Sequence, residues 1–156
     1  MTNQQDAEEI IRRHADMVYR IALSYTRNTA DAEDVFQETF LRYVRRRPQF
    51  DSEAHEKAWL IRVCVNCAKT CLASPWRRHT QPLTGCEMTA YSDDHALSEA
   101  LDTLSPEDRA VIHLYYFEGY QTDEIAEILH KNPSTIRSRL TRARKRLKLI
   151  LKEDAQ

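Results

Sequence analysis

Cys64, Cys67 and Cys71, in "VCVNCAKTCL", are spaced like the start of a thiolate metal site or a redox pair. Helical geometry argues against the metal. With a rise of ~1.5 Å per residue, the first and third lie about 10.5 Å apart along a straight helix. Two sulfurs on one zinc ion stand within roughly 4.6 Å, twice a bond of about 2.3 Å. The thiols also continue a stripe begun by Leu60 at helical spacing, so they read as small apolar core residues. A redox-sensitive pair is the alternative. No metal and no cofactor is expected.

Nor does any other pattern point to catalysis. The six histidines are scattered, with His14 and His113 within helical segments on or near packing faces. No serine, histidine and acid cluster stands out, and the two glycines, Gly85 and Gly119, form no phosphate-cradling loop. The expectation is a protein that is not an enzyme and takes no small-molecule substrate.

The other chemistry-bearing stretch is "KNPSTIRSRLTRARKRLK", residues 131–148, with eight basic side chains and no acid in a chain of net charge −1. At ~100° per residue, Ile136, Leu140, Ala143, Leu147 and Ile150 share one narrow face. Arg137, Ser138, Thr141, Arg142, Lys145 and Lys148 gather on the opposite face, with Arg139, Arg144 and Arg146 on its flanks. A solvated helix ordinarily mixes signs, because like charges at i,i+4 repel. A phosphate backbone would neutralise the repulsion and supply affinity through counterion release. Membrane binding fits less well, since the apolar stripe is narrow and lacks aromatics.

Such a helix needs a scaffold, and the chain supplies helical patterns almost throughout. Ile10, His14, Met17, Ile21 and Ser24 mark a first amphipathic helix. "RNT" breaks it, Asn28 being suited to the left-handed stop and Thr29 to the next cap. A second helix opens with Asp31, Glu33 and Asp34 and carries a Phe36, Phe40, Tyr43, Val44 stripe. Arg45, Arg46 and Arg47 suit its negative end, and Pro48 stops it. A polar loop with the exposed-looking Phe50 leads to a third helix over 53–73. Residues 76–98 show no sustained period and read as a linker. In "SPED", Ser105, Pro106 and Asp108 make a capping-box start, and Gly119 a left-handed stop. Thr122 caps a short helix, and Asn132 with Pro133 opens the basic one. Short helix, tight turn, basic helix spells helix-turn-helix. The fold class is all-α: two small helical domains, 1–75 and 99–152, joined by a flexible linker.

The N-terminus lacks a basic start followed by an apolar run, and no stretch approaches ~18 apolar residues. A cytoplasmic protein with reduced cysteines is expected.

"DAEDVFQETFLRYVRR", "FDSEAHEKAWLIRVCVN" and "LSPEDRAVIHLYYFEGYQTDEIAEILHKNPSTIRSRLTRARKRLK" occur in that order. Together they resemble the extracytoplasmic-function (ECF) group of bacterial RNA polymerase sigma factors, over nearly the whole chain. The resemblance implies a region 2 domain, a linker and a region 4 helix-turn-helix. It implies core polymerase as partner, through the β′ clamp helices and the β flap, with promoter DNA as ligand. An anti-sigma factor is implied by the family alone.

Residue by residue, the resemblance places Asp34, Gln37, Glu38, Phe40 and Leu41 at the core polymerase interface. An acidic strip suits a protein partner better than DNA. Phe50, Lys57, Arg62, Asn66 and Lys69 match the strand-capturing −10 segment, aromatic surface and cations together being what single strands require. Trp59 matches a family position too, but its apolar neighbours favour a core role. Arg137, Ser138, Thr141, Arg142 and Lys145 would face the bases of the −35 element. Lys131, Thr135, Arg144, Arg146 and Lys148 would hold phosphates. Two departures stand out. The turn has His130 and Lys131 where relatives commonly carry glycine and an apolar residue, and Thr70 and Ala73 replace an acid and a base. The runner-up reading is a stand-alone helix-turn-helix regulator with an N-terminal dimerisation or effector module.

Overall fold

The computed structural model describes residues 2–74 and 95–154. Among these it contains seven helices and no strand: α1 Thr2–Thr26, α2 Thr29–Arg46, α3 Glu53–Ala73, α4 His95–Asp102, α5 Pro106–Tyr116, α6 Thr122–Leu129 and α7 Pro133–Asp154. Most of the expected linker lies outside the described residues. Its last four positions do not: residues 95–98 already belong to α4, an element that the weak periodicity of this stretch concealed.

Local chemistry accounts for most helix ends. The stop after α1 falls on Arg27, at φ 53°, rather than on Asn28. Asn28 is extended and caps α2, its side chain accepting from the Asp31 amide at 2.9 Å. α2 closes at Arg47, at φ 46°, immediately before Pro48. Ser52 caps α3 by accepting from the His55 amide, and α3 runs over the expected residues. Ser105 caps α5 by accepting from the Asp108 amide at 3.2 Å. The carboxylate of Asp108 reaches Arg139 at 3.1 Å, so the expected capping box is only half built. Gly119 is left-handed at φ 78°. The cap of α6 is Gln121, not Thr122, with its amide donating to Glu124 Oε1 at 2.9 Å. His130 takes the left-handed position in the turn at φ 56°, a conformation His tolerates better than most residues. Asn132 then accepts from Ser134 N at 3.0 Å at the start of α7.

α1, α2 and α3 pack on one another through Val18, Ile21, Ala22, Tyr25, Val35, Leu60, Ile61 and Cys64, all essentially buried. The inward face of α2 is Ala32, Val35, Thr39, Phe40 and Tyr43. Val44, placed on that stripe from the sequence, is 43% exposed. In the C-terminal half, Val111, Leu114, Ile125, Ile136, Leu140 and Ala143 close a second set of helices.

The two halves do not stand apart. Their buried residues form one continuous cluster, with α1 against α5 and α3 against α6. Arg109 of α5 donates from Nε to the Ser24 carbonyl and from Nη2 to the Tyr25 carbonyl, both at 2.7 Å. Those two oxygens belong to the last turn of α1, where no intrahelical donor remains. Its third group, Nη1, serves the Leu104 carbonyl at 2.6 Å. Nearby, Arg27 pairs with Asp102 and donates to Ser98 Oγ at 2.8 Å. Tyr25 Oη donates to Glu107 at 3.1 Å. The side chain of Glu118, only 7% exposed, lies 3.6 Å from Arg20 and 3.4 Å from Lys57. Burial would raise the Glu118 carboxyl, but His113, Lys57 and Arg20 outweigh it and hold the group below the usual carboxylate range.

Candidate nucleic-acid interface

α7 presents its basic face outward. Ile136, Leu140 and Ala143 are buried, whereas Arg137, Ser138, Thr141, Arg142 and Lys145 are all exposed. Together with Ser134 these five line one shallow surface depression. Ser134 was missed from the sequence, although it lies one turn before Arg137 and Ser138 on the same face. The five residues expected to face bases are therefore brought together on one face, backed by an apolar seam.

The absence of acids over residues 131–148 is answered by neighbouring helices. Asp123 of α6 sits 3.3 Å from Arg137, and Asp108 of α5 lies 3.1 Å from Arg139 and 4.0 Å from Arg142. These pairs fix the direction in which α7 points more than they stabilise it, since exposed ion pairs contribute little. The phosphate-holding candidates divide. Lys131, Thr135 and Lys148 are exposed. Arg144 donates to Tyr116 Oη at 2.7 Å and lies over the Tyr115 ring at 5.0 Å, and Arg146 donates to Thr103 at 3.3 Å. Both remain exposed while making these contacts.

The five residues expected to capture a single strand are not assembled into one face. Arg62, Asn66 and Lys69 line a crevice between α3 and the C-terminal half, together with Glu107, Lys131 and Arg139. Burial, then the nearby Lys131, lowers the Lys69 ammonium below its ordinary value. Lys57 is turned to Glu118 and lies 5.4 Å from the Tyr120 ring centre. Phe50, which looked exposed, is half-buried: it stacks on Tyr43 at 6.4 Å and meets Trp59 edge-on at 5.9 Å. Trp59 is itself half-buried in that aromatic cluster, as its apolar neighbours indicated.

On α2, Asp34, Gln37 and Leu41 are exposed, and Glu38 is half-buried with Arg42 at 3.2 Å. Phe40 does not belong with them. It is 5% exposed and packs edge-on against Phe36 at 5.0 Å, so its ring is core. One turn beyond Leu41, exposed Val44 extends the strip, a position that the stripe reading had assigned inward.

The cysteines lie as the helical stripe predicts. Cys64 and Cys67 are buried and Cys71 is half-buried. The Cys64 thiol donates to the Val18 carbonyl at 3.6 Å, and burial pushes it up to about 12. Among the described residues no helix is long and apolar enough to cross a membrane.

A helical N-terminal unit with an exposed acidic strip on α2 is followed by a helix-turn-helix whose last helix presents an exposed basic face. Residues 10–78 match the Sigma-70 region 2 family and residues 94–147 match Sigma-70, region 4. The chain is 35% identical over 152 residues to the ECF RNA polymerase sigma factor SigL of Mycobacterium tuberculosis, covering 90% of this chain and 85% of that protein. It is 32% identical over 154 residues to the ECF RNA polymerase sigma factor SigE of Mycolicibacterium smegmatis, covering 90% of this chain but 60% of that protein's length. The chain belongs to the ECF RNA polymerase sigma factors. In fold it resembles the Bartonella quintana sigma factor RpoE solved with the anti-sigma factor NepR. The TM-score is 0.80 at 24% identity, covering 95% of this chain and 98% of that one. Two family regions in sequence leave no support for a stand-alone regulator.

Proposed function

We propose that this chain works in the cytoplasm as a promoter-specificity subunit, bringing core RNA polymerase to particular promoters without catalysing a reaction itself. The outer face of α7 carries the reading: Arg137, Ser138, Thr141, Arg142 and Lys145 are exposed together on one face, with the opposite face packed into the helix-turn-helix. Arg137 and Arg142 would pair with base edges of the −35 element, Thr141 with a thymine methyl, and Lys131, Thr135, Arg144, Arg146 and Lys148 with phosphates. Residues 1–75 and 99–152 are the proposed working units.

The strip Asp34, Gln37, Glu38 and Leu41 would seat on the β′ clamp helices, and the C-terminal unit on the β flap. Asn66, Arg62 and Lys69, with Phe50 and Lys57, would take the unpaired −10 strand. Melting then rests on capture of unstacked bases. An anti-sigma partner belongs to the same reading, since the Bartonella sigma factor was solved with one.

The test is reconstitution. The purified chain mixed with core polymerase should co-elute and support transcription from a subset of promoters selected from a genomic library. Failure to bind core polymerase under reducing, low-salt conditions would sink the proposal. Tight footprinting of a palindromic duplex without polymerase would count equally against it.

A further inference from the structure

Two carboxylates from other helices reach the arginines of the basic ridge of α7, and the two differ in kind. The side chain of Asp108 is 13% exposed, and its carboxylate lies closest to half-buried Arg139, at 3.1 Å, with Arg142 farther off at 4.0 Å. It belongs to the packing of α5 on α7. Asp123 stands 78% exposed in the first turn of α6. Among the described residues its one ion pair is with Arg137, itself 57% exposed, at 3.3 Å.

Stability does not account for this second pair. An exposed ion pair contributes little. The positive end of α6 is already served by Glu124, which closes the capping box by accepting from the Gln121 amide at 2.9 Å. An acid is also out of place on this helix, because the first helix of a helix-turn-helix crosses the DNA backbone, and a carboxylate repels phosphate.

The geometry of the pair supplies a reason. Arg137 donates to Asp123 Oδ1 through Nη1. A guanidinium carries five N–H donors in a rigid fork, so the edge formed by Nε and Nη2 is left over. That edge has the two parallel donors that pair bidentately with O6 and N7 of guanine. Arg137 shares its surface depression with Ser134, Ser138, Thr141, Arg142 and Lys145. Released from Asp123, the same flexible side chain could swing to a phosphate, a contact that carries no sequence information.

We propose that Asp123 is a positioning residue that sets the specificity of Arg137, holding the guanidinium with one edge open to a guanine and denying it to the DNA backbone. This rests on the base-reading role proposed above for α7. The carboxylate weakens binding to duplex of any sequence and sharpens the choice at one base pair. Specificity then comes from repelling the wrong ligand as well as from gripping the right one.

The test begins with full-chain variants reconstituted with core polymerase, each selecting from a promoter library randomised in the upstream element. Arg137→Ala identifies the base pair that Arg137 reads. Asp123→Ala should lower the preference at that same base pair by about three- to tenfold, part of the worth of a bidentate contact, and leave the others unchanged. In the Arg137→Ala background, Asp123→Ala should alter no preference further.

Random-sequence duplex gives the opposite sign. At low salt the full chain with Asp123→Ala should bind it more tightly than wild type, by roughly two- to fivefold. The slope of log affinity against log salt should steepen by about one, as one more phosphate is neutralised. Asp123→Asn, which keeps the shape of the side chain, repeats both measurements should the alanine variant lose helical circular dichroism. An unchanged preference at the Arg137 base pair, or an equal loss at several base pairs, would overturn the proposal. Random duplex bound no more tightly than by wild type would do the same. Arg137→Ala leaving every preference intact would instead sink the base-reading role of Arg137, and the proposal with it.

Discussion

Asp108, on the first turn of α5, holds Arg139 of α7 at 3.1 Å. The same oxygen of Asp108 lies 4.0 Å from Arg142. One carboxylate at the positive end of the scaffold helix thus steadies two arginines of the helix that carries the basic ridge.

Replacing Asp108 by Ala removes a favourable charge from the start of α5 and the partner of a half-buried guanidinium. The expected loss is about 0.5–1 kcal/mol of unfolding free energy, read from the urea midpoint. Promoter binding should weaken less than in Arg142→Ala, because Asp108 only steadies the reader. An unchanged midpoint would show that the pair adds nothing to stability.

Arg142→Ala should cost ~1–3 kcal/mol on a cognate promoter and relax base preference in the upstream element alone. Competition binding with holoenzyme and promoter variants measures this. A uniform loss across unrelated sequences would reassign Arg142 to the phosphates.

Asn66→Ala leaves the ridge untouched and should lower open-complex formation while upstream duplex binding is retained. Permanganate reactivity of unpaired thymines provides the measurement. Equal reactivity in the variant would remove Asn66 from the −10 contact.

Gln37 and Glu38 replaced together by Lys convert the exposed strip of α2 from acidic to basic. Core polymerase should no longer co-elute, although both units remain folded by circular dichroism. Retained co-elution would place the interface elsewhere on the surface.

Cys64 should resist alkylation in the folded chain at pH 8, whereas half-buried Cys71 reacts. The background carries Cys86→Ser, and mass spectrometry of tryptic peptides reads the labels. Because burial raises the Cys64 thiol to about 12, the folded chain keeps a proton that the unfolded chain sheds above about pH 9. Stability from this site is complete below that pH and falls away as pH rises towards 12. Rapid native labelling of Cys64 would contradict its burial.

Where local chemistry decides, the sequence was legible. Ser105 and Asn132 cap helices because their side-chain oxygens reach amides two or three residues on. The 3.6-residue period separated the buried and exposed faces of α7, and helical spacing placed the cysteines in the core. Errors arose where neighbouring residues compete for one role. Arg27 rather than Asn28 takes the left-handed stop, since Asn28 is needed as the next cap. Phe40 lies inward, as its stripe indicated and against the interface role that the resemblance implied, whereas Val44 lies outward because the buried face of α2 runs through Val35, Thr39, Phe40 and Tyr43.

By itself, then, the sequence determined six of the seven helices found among the described residues, the basic face and the family, all of which follow from periods and motifs within a few turns of chain. Only the tertiary structure decided that the halves close on each other. Arg109 meets carbonyls of residues 84 and 85 positions earlier, and nothing local distinguishes it from a solvated arginine. A long-range hydrogen bond depends on how two surfaces fit, and that fit is a property of the packed chain rather than of any segment within it.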